Sequence, residues 1–484
     1  MQNQYIADLK LNDKNFSPGK PLLLGMVMAL ILLAALAGMA PLWGISPLIV
    51  AGFVLAVAIG FVYLQTPVLA LYSTIFVNLL PQGLLPDTIQ SVLSLLLLVI
   101  SLVFWGVQSG FQRRKIVWTA PLLCMLAFFL WAFITVLWAD DLTVSRQTLV
   151  QYTIVITIMF LLINQVNSPR TLDGLMNTLA AIGWILIVMG LWTVLFGGYE
   201  LGARLQIFDM NENLLGMLLM VTTPGVIWQA MRASRRNKTI SLLLSLLYIG
   251  LSLILIAFSG SRGSFIGYIL ILVIFGTFKA TRPWALWGAA LCLVGLISAP
   301  VVFTTVLDRF TSATEELLGE RDLLWQAGLL LIVDHLWSGV GIGNGPYAML
   351  DYVNAVSSTD LVGEYTTRPA HNPILEVGDD TGIVGIVLYS GALLSAMGLL
   401  LWQFFVARHP RLVIKPGADK VSLNKEQLAA YCSLVFGTSV GFLAAWLKSG
   451  GLANHLALFI LFALWMIPGC IRENAFRQMI AHES

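Results

Sequence analysis

Apolar runs of roughly 15 to 25 residues recur along almost the whole chain, and nothing constrains its fold more. A run of that length, coiled at about 1.5 Å per residue, matches a hydrocarbon layer about 30 Å thick. Spans are expected at 22–40, 44–64, 67–80, 89–107, 117–138, 148–164, 174–196, 213–230, 239–258, 264–278, 284–304, 382–407, 428–447 and 451–468. The run 67–80 is short and reads equally as a re-entrant segment, which sets the count at about 12 to 14. Within lipid every backbone N–H and C=O must be satisfied by the chain itself, so such runs are helices. A barrel would instead alternate apolar and polar residues in strands of about ten. Charge agrees, since 11% of the 484 residues are Asp, Glu, Lys or Arg, about half the share usual in soluble domains. The expected fold class is an all-α polytopic membrane protein. It divides into an N-terminal bundle over 1–304, one large outer loop with short helices over 305–381, and C-terminal helices over 382–484. The first twenty residues are polar and lack a signal-peptide pattern, so the first apolar run is expected to be retained as a span.

Lys and Arg concentrate on the cytoplasmic side of helical membrane proteins. An inner N-terminus puts the clusters at 10–20, 113–115, 232–238 and 408–425 inside. Seven of the 27 basic residues then lie outside: Arg146, Arg204, Arg262, Arg309, Arg321, Arg368 and Lys448. Both termini are therefore expected inside. No Lys, Arg, Asp or Glu falls in the middle of an expected span, which counts against a proton-coupled transporter. The four cysteines, Cys124, Cys292, Cys432 and Cys470, sit in or at the ends of apolar runs without CxxC spacing. They read as small apolar packers, with no disulfide or metal site.

Polar chemistry gathers on the outer face. The segment 305–381 is long for a connection, and its helical pattern and aromatics argue for order. ERDLLWQAGLLLIVDHLW, Glu320 to Trp337, is helix-like, with Trp325 and Trp337 as expected interfacial anchors. GVGIGNGPY, Gly339 to Tyr347, reads as a tight turn, because no Lys-Ser/Thr follows to make a phosphate loop. In HNPILE, Asn372 is a natural N-cap and Pro373 a natural first helical residue, so a helix should start there and run into the span near Gly382. Gly378, Gly382 and Gly385 would form a small-residue contact face on it. His371 stands just ahead of that N-terminus, where a lipid-linked anion would be met. Glu364, Glu376, Asp379 and Asp380 receive no role.

Three further outer stretches bring arginines to the same leaflet. GARLQIFDMNENLLG carries Arg204 with Asn211 and Asn213, SGSRGS carries Arg262 at the tip of a turn, and ERD carries Arg321. Guanidinium pairs bidentately with phosphate, and outer arginines run against the positive-inside bias. A local acid or a lipid head group is the competing partner for each, most of all for Arg321 between Glu320 and Asp322. Arg146, Arg309, Lys448 and the histidines at 335, 409, 455 and 482 read as ordinary residues.

His371-Asn372, nine residues, then Gly382-x-x-Gly385 resembles the signature of bacterial O-antigen ligases, whose superfamily also contains Wzy-type polymerases. The order of the Arg204 to Asn213 stretch, Ser261-Arg262-Gly263, Arg321-x-x-x-Trp325, GVGIG and the His motif is similar as well, over roughly 200 to 400. The resemblance implies an inverting, metal-independent glycosyltransferase of the GT-C type without a cofactor, in the bacterial plasma (inner) membrane with its site on the periplasmic side. Its donor would be a glycan on undecaprenyl diphosphate, and its acceptor a lipid A-core sugar, or another glycan in a polymerase. Membrane lipids are expected neighbours and nucleic acid is not. By the same resemblance Arg262 and Arg321 hold the diphosphate and His371 positions or deprotonates the acceptor hydroxyl. Arg204, Asn213, Arg368 and Asn372 are further candidates for substrate contact. The chemistry is consistent, since two arginines stabilise a departing diphosphate without a metal, and an unperturbed imidazole works as a base near neutrality. A flippase for the same lipid is the reading from another class; it predicts a charged central cavity and internal repeats, neither of which is evident.

Overall fold

The computed structural model describes residues 60, 62–63, 66–81, 83–84, 86–111, 116–200, 203–208, 210–233, 237–298, 316–356, 370–408, 423, 425–449 and 455–483. The expected span 22–40, most of 44–64, Glu364 and Arg368 lie outside the described residues, and so do the side chains of Arg321 and of residues 472–483. What is described is helical. In chain order the helices are α1 (Pro67–Leu79), α2 (Asp87–Phe111), α3 (Ala120–Thr135), α4 (Leu142–Gln165), α5 (Pro169–Phe196), α6 (Glu212–Arg232) and α7 (Lys238–Ser259). They continue with α8 (Arg262–Thr277), α9 (Arg282–Ser298), α10 (Glu316–Asp334), α11 (Gly345–Val356), α12 (Pro373–Arg408), α13 (Lys425–Ser449) and α14 (His455–Glu483). Among the described residues, eight helices are long and apolar enough to cross a membrane, and α1, α8 and 456–471 are shorter apolar helices. The chain is an all-α, multi-pass membrane protein.

Local chemistry sets most helix starts. Asp141 accepts the amides of Thr143 and Val144, so α4 begins six residues before the apolar run expected at 148. Ser168 and Thr171 close a capping box ahead of α5, with Pro169 in its first turn. The run expected at 117–138 ends in a single 3₁₀ turn, Val136–Trp138. One large apolar core joins these helices, with α6 enclosed by α5, α7 and α13. Helices α8 and α13 approach backbone to backbone, because Gly267 and Gly441 face one another's carbonyl oxygens with no Cβ between them. On α2 the apolar side chains of Leu95, Leu96, Val99 and Val103 stay exposed, as a lipid-facing surface requires.

The structure changes the expected reading of α12. Gly382 has φ 68° and ψ −167°, so the helix is broken into 373–381 and 383–408. A break frees backbone groups that must find other partners. The indole of Trp131 donates to the Thr381 carbonyl at 2.8 Å, and the Ile383 amide donates to the Leu336 carbonyl at 2.8 Å. The three glycines therefore do not form one contact face. Gly378 meets Ile332 of α10, Gly385 meets Thr381 and Phe128, and Gly382 is the hinge itself. A Cβ at 382 would lie 2.6 Å from both the carbonyl carbon and the oxygen of Trp337, on backbone that only glycine adopts without strain. Gly382→Ala should thus destabilise the protein by roughly 3 kcal/mol or more. Gly398→Ala, where nothing lies within 4 Å of the added carbon, should be neutral. Melting temperatures of the two purified variants in detergent check the contrast.

Candidate functional site

The polar residues expected on the outer face fold into two groups. The first is built where α6 and α8 begin. Arg204 donates from Nε to the Ser259 carbonyl at 3.3 Å, and its Nη2 lies 3.3 Å from Oε2 of Glu212. Glu212 is only 6% exposed, and its Oε1 accepts from Gln206 Nε2 at 2.8 Å. Arg204 is thus held by a buried acid that the charge-based reading passed over. Asn211 caps α6 by accepting the Asn213 amide at 2.8 Å. Asn213 reaches across to the turn between α7 and α8, where Ser261 Oγ donates to its Oδ1 at 2.6 Å and Ser264 Oγ donates to its carbonyl at 3.2 Å. Gly260 takes a left-handed conformation and Ser261 caps α8, which leaves Arg262 as a half-buried first residue of that helix. Arg204 and Asn213 therefore share one network with the turn that presents Arg262.

The second group surrounds His371. Asn372 accepts the amides of Ile374 and Leu375 at 3.1 and 3.4 Å, so the expected N-cap is present and Asn372 Oδ1 is engaged in it. His371 itself has φ 51°, a left-handed conformation rare outside glycine. The residue before it, Ala370, is fully buried among Leu324, Ala327, Met349 and Val353 of α10 and α11. Trp325 donates from Nε1 to the Ala370 carbonyl at 3.0 Å. It is a strut inside the fold, whereas Trp337, 71% exposed, remains available as the interfacial anchor. Arg321 lies on α10 one helical turn before Trp325. Across α10 and α11, Tyr352 donates to Asp334 at 2.9 Å. Burial, and then that carboxylate, raises the phenol above its ordinary value.

The acids without an assigned role are the largest surprise. Asp380 is 1% exposed, and its two oxygens accept the amides of Gly343 and Gly345, each at 2.8 Å. The glycine turn does present amides to an anion, but the anion is the protein's own carboxylate. Positive φ at Gly339, Gly341 and Gly343 aims those amides. The turn is further pinned by Val340 N to the Asp379 carbonyl at 2.9 Å and Gly341 N to the Asp380 carbonyl at 3.0 Å. Asn344 ties it to α4, accepting from Asp141 N at 2.8 Å and donating to Ser145 Oγ at 2.9 Å. Asp379 and Glu376 are buried on the same half-helix, with Asp379 against Gly328 of α10. These acids lie inside a helix of membrane-crossing length, because α12 starts at Pro373 and not at 382. Helix α13 packs against both α8 and α12, the helices that carry the two groups.

Residues 247–390 match the family model described as O-antigen ligase. This stretch belongs to the O-antigen ligase family. Its members are glycosyltransferase-like enzymes, ligases and polymerases. The matched stretch runs from α7 into α12, past the break at Gly382, and contains Arg262, Arg321, Trp325, Asp380 and His371, while Arg204 and Asn213 precede it. No curated protein matches the chain. Within the O-antigen ligase segment, Asp380→Ala leaves two buried amides without an acceptor, which should cost roughly 2–5 kcal/mol. Asp380→Asn keeps one acceptor oxygen and should cost less. The order of the two melting temperatures, alanine variant lowest, checks the clamp.

Proposed function

We propose that the protein is an O-antigen ligase-like glycosyltransferase. It moves a glycan from undecaprenyl diphosphate to a lipid A-core or related acceptor at the outer leaflet of the plasma membrane. The observation that carries this reading is the family match over 247–390, which takes in both the arginine turn and the histidine helix start. Arg262 and Arg321 supply charge for the departing diphosphate, and His371 takes the proton of the attacking hydroxyl. The glycosidic bond to the diphosphate breaks as the acceptor oxygen bonds to the anomeric carbon from the opposite face, which inverts that centre. Arg204 acts by holding the turn that bears Arg262, through Glu212 and Ser259. Asn213 and Asn372 act likewise, as supports of the turn and of the helix start. Arg368, on the approach to His371, is a further contact for phosphate or sugar. The lipid tail of the donor lies along the apolar spans.

In a reconstituted assay with undecaprenyl-diphosphate glycan, Arg262→Ala, Arg321→Ala and His371→Ala should each lower transfer by about 10²-fold or more. Expression and membrane insertion should stay normal. Wild-type rates in the two arginine variants would remove the diphosphate site. Transfer should also persist in EDTA, and strict dependence on a divalent ion would exclude the metal-independent mechanism. Offering lipid A-core and free carrier-linked glycan together separates ligase from polymerase: product on the core marks a ligase, and longer chains on the carrier mark a polymerase.

A further inference from the structure

The backbone on either side of His371 is fixed, and one of the two fixings comes from α10. Ahead of the histidine, the Ala370 carbonyl accepts the Trp325 indole N–H at 3.0 Å, and Ala370 is enclosed by α10 and α11. Behind it, Asn372 caps the first part of α12. A non-glycine residue at φ 51° persists only where its surroundings over-determine it. The indole bond is one of those determinants. Without it the buried Ala370 carbonyl loses this donor.

Trp325 also stands at a telling place on α10. It follows Arg321 by four residues, so the two share a face of the helix about 6 Å apart along its axis. A rigid turn of helix followed by one hydrogen bond therefore connects the backbone at Arg321 to the backbone at His371. We infer that Trp325 is a positioning residue for glycan transfer: its indole N–H sets His371 at a fixed place relative to Arg321. This rests on the roles given to His371 and Arg321 above. Trp325 touches neither the reacting atoms nor the diphosphate in this role. A general base has to lie within about 3 Å of the proton it takes, and a misplacement of about 1 Å costs as much as a hundredfold in rate. Donor binding makes no such demand on the histidine.

The test uses the full chain in nanodiscs and the substitution Trp325→Phe, which keeps an aromatic ring on α10 and removes the N–H. Four quantities are read: kcat with saturating acceptor, Kd for undecaprenyl diphosphate, melting temperature, and amide exchange over 370–376. The expected result is kcat down about ten- to a hundredfold, Kd within about twofold of wild type, and faster exchange near His371. A melting temperature close to wild type accompanies it. An unchanged kcat overturns the proposal, and so does a fall in kcat that is matched by weaker donor binding and a lower melting temperature. If His371→Ala transfers glycan as well as wild type, the functional reading itself fails and takes this role with it, whatever Trp325→Phe does.

Discussion

A single carboxylate organises the end of this protein at which α12 begins. Asp380 accepts two amides of the glycine turn from within a buried site, and through them it joins α12 to the segment that links α10 with α11. Backbone N–H groups cannot be left bare where water and lipid are both excluded. The turn at 339–345 satisfies them by wrapping around a side chain, and the first part of α12 is built against that wrap. His371 stands at the start of the same half-helix. The half-helix that begins next to His371 is therefore held at its far end by this clamp.

The break at Gly382 follows the same logic. An unbroken α12 would need no help from its neighbours, and a broken one needs a donor and an acceptor brought from elsewhere. Trp131 and Leu336 supply them, from α3 and from the turn that follows α10. The segment between α9 and α12 is consequently not a lid laid over a finished bundle. Its backbone completes the hydrogen bonding of α12, and α12 in turn packs on α3 and α13. The arginine turn is built with similar economy, because Glu212, Asn213 and the serines around Arg262 satisfy one another at the starts of α6 and α8. Both groups place polar atoms at helix starts, where free amides are already available.

What the sequence by itself determined is whatever depends on neighbours a few residues apart. Span after span was legible from apolar run length, since lipid admits only helices of that composition. Asn372-Pro373 announced a helix start, and the small residues around Arg262 announced a turn, because capping and left-handed glycine are local chemistry. The glycine turn was legible as a turn for the same reason. The family was legible from the order of short motifs, and the match over 247–390 bears it out.

Tertiary structure alone decided the rest. Asp380 reads as one acid among several until Gly343, 37 residues earlier, donates to it. Trp325 has the composition of an interfacial anchor and becomes a strut only because Ala370 lies 45 residues away in the chain and 3.0 Å away in space. Gly382 looks like one more member of a helical glycine face, and is a hinge because Trp131, separated by 250 residues, takes the Thr381 carbonyl. Glu212 passes for a loop acid until it closes on Arg204. In each case the sequence carries the donor or acceptor but not its partner. A hydrogen bond between distant segments depends on how helices pack, and helix packing is a property of the whole chain.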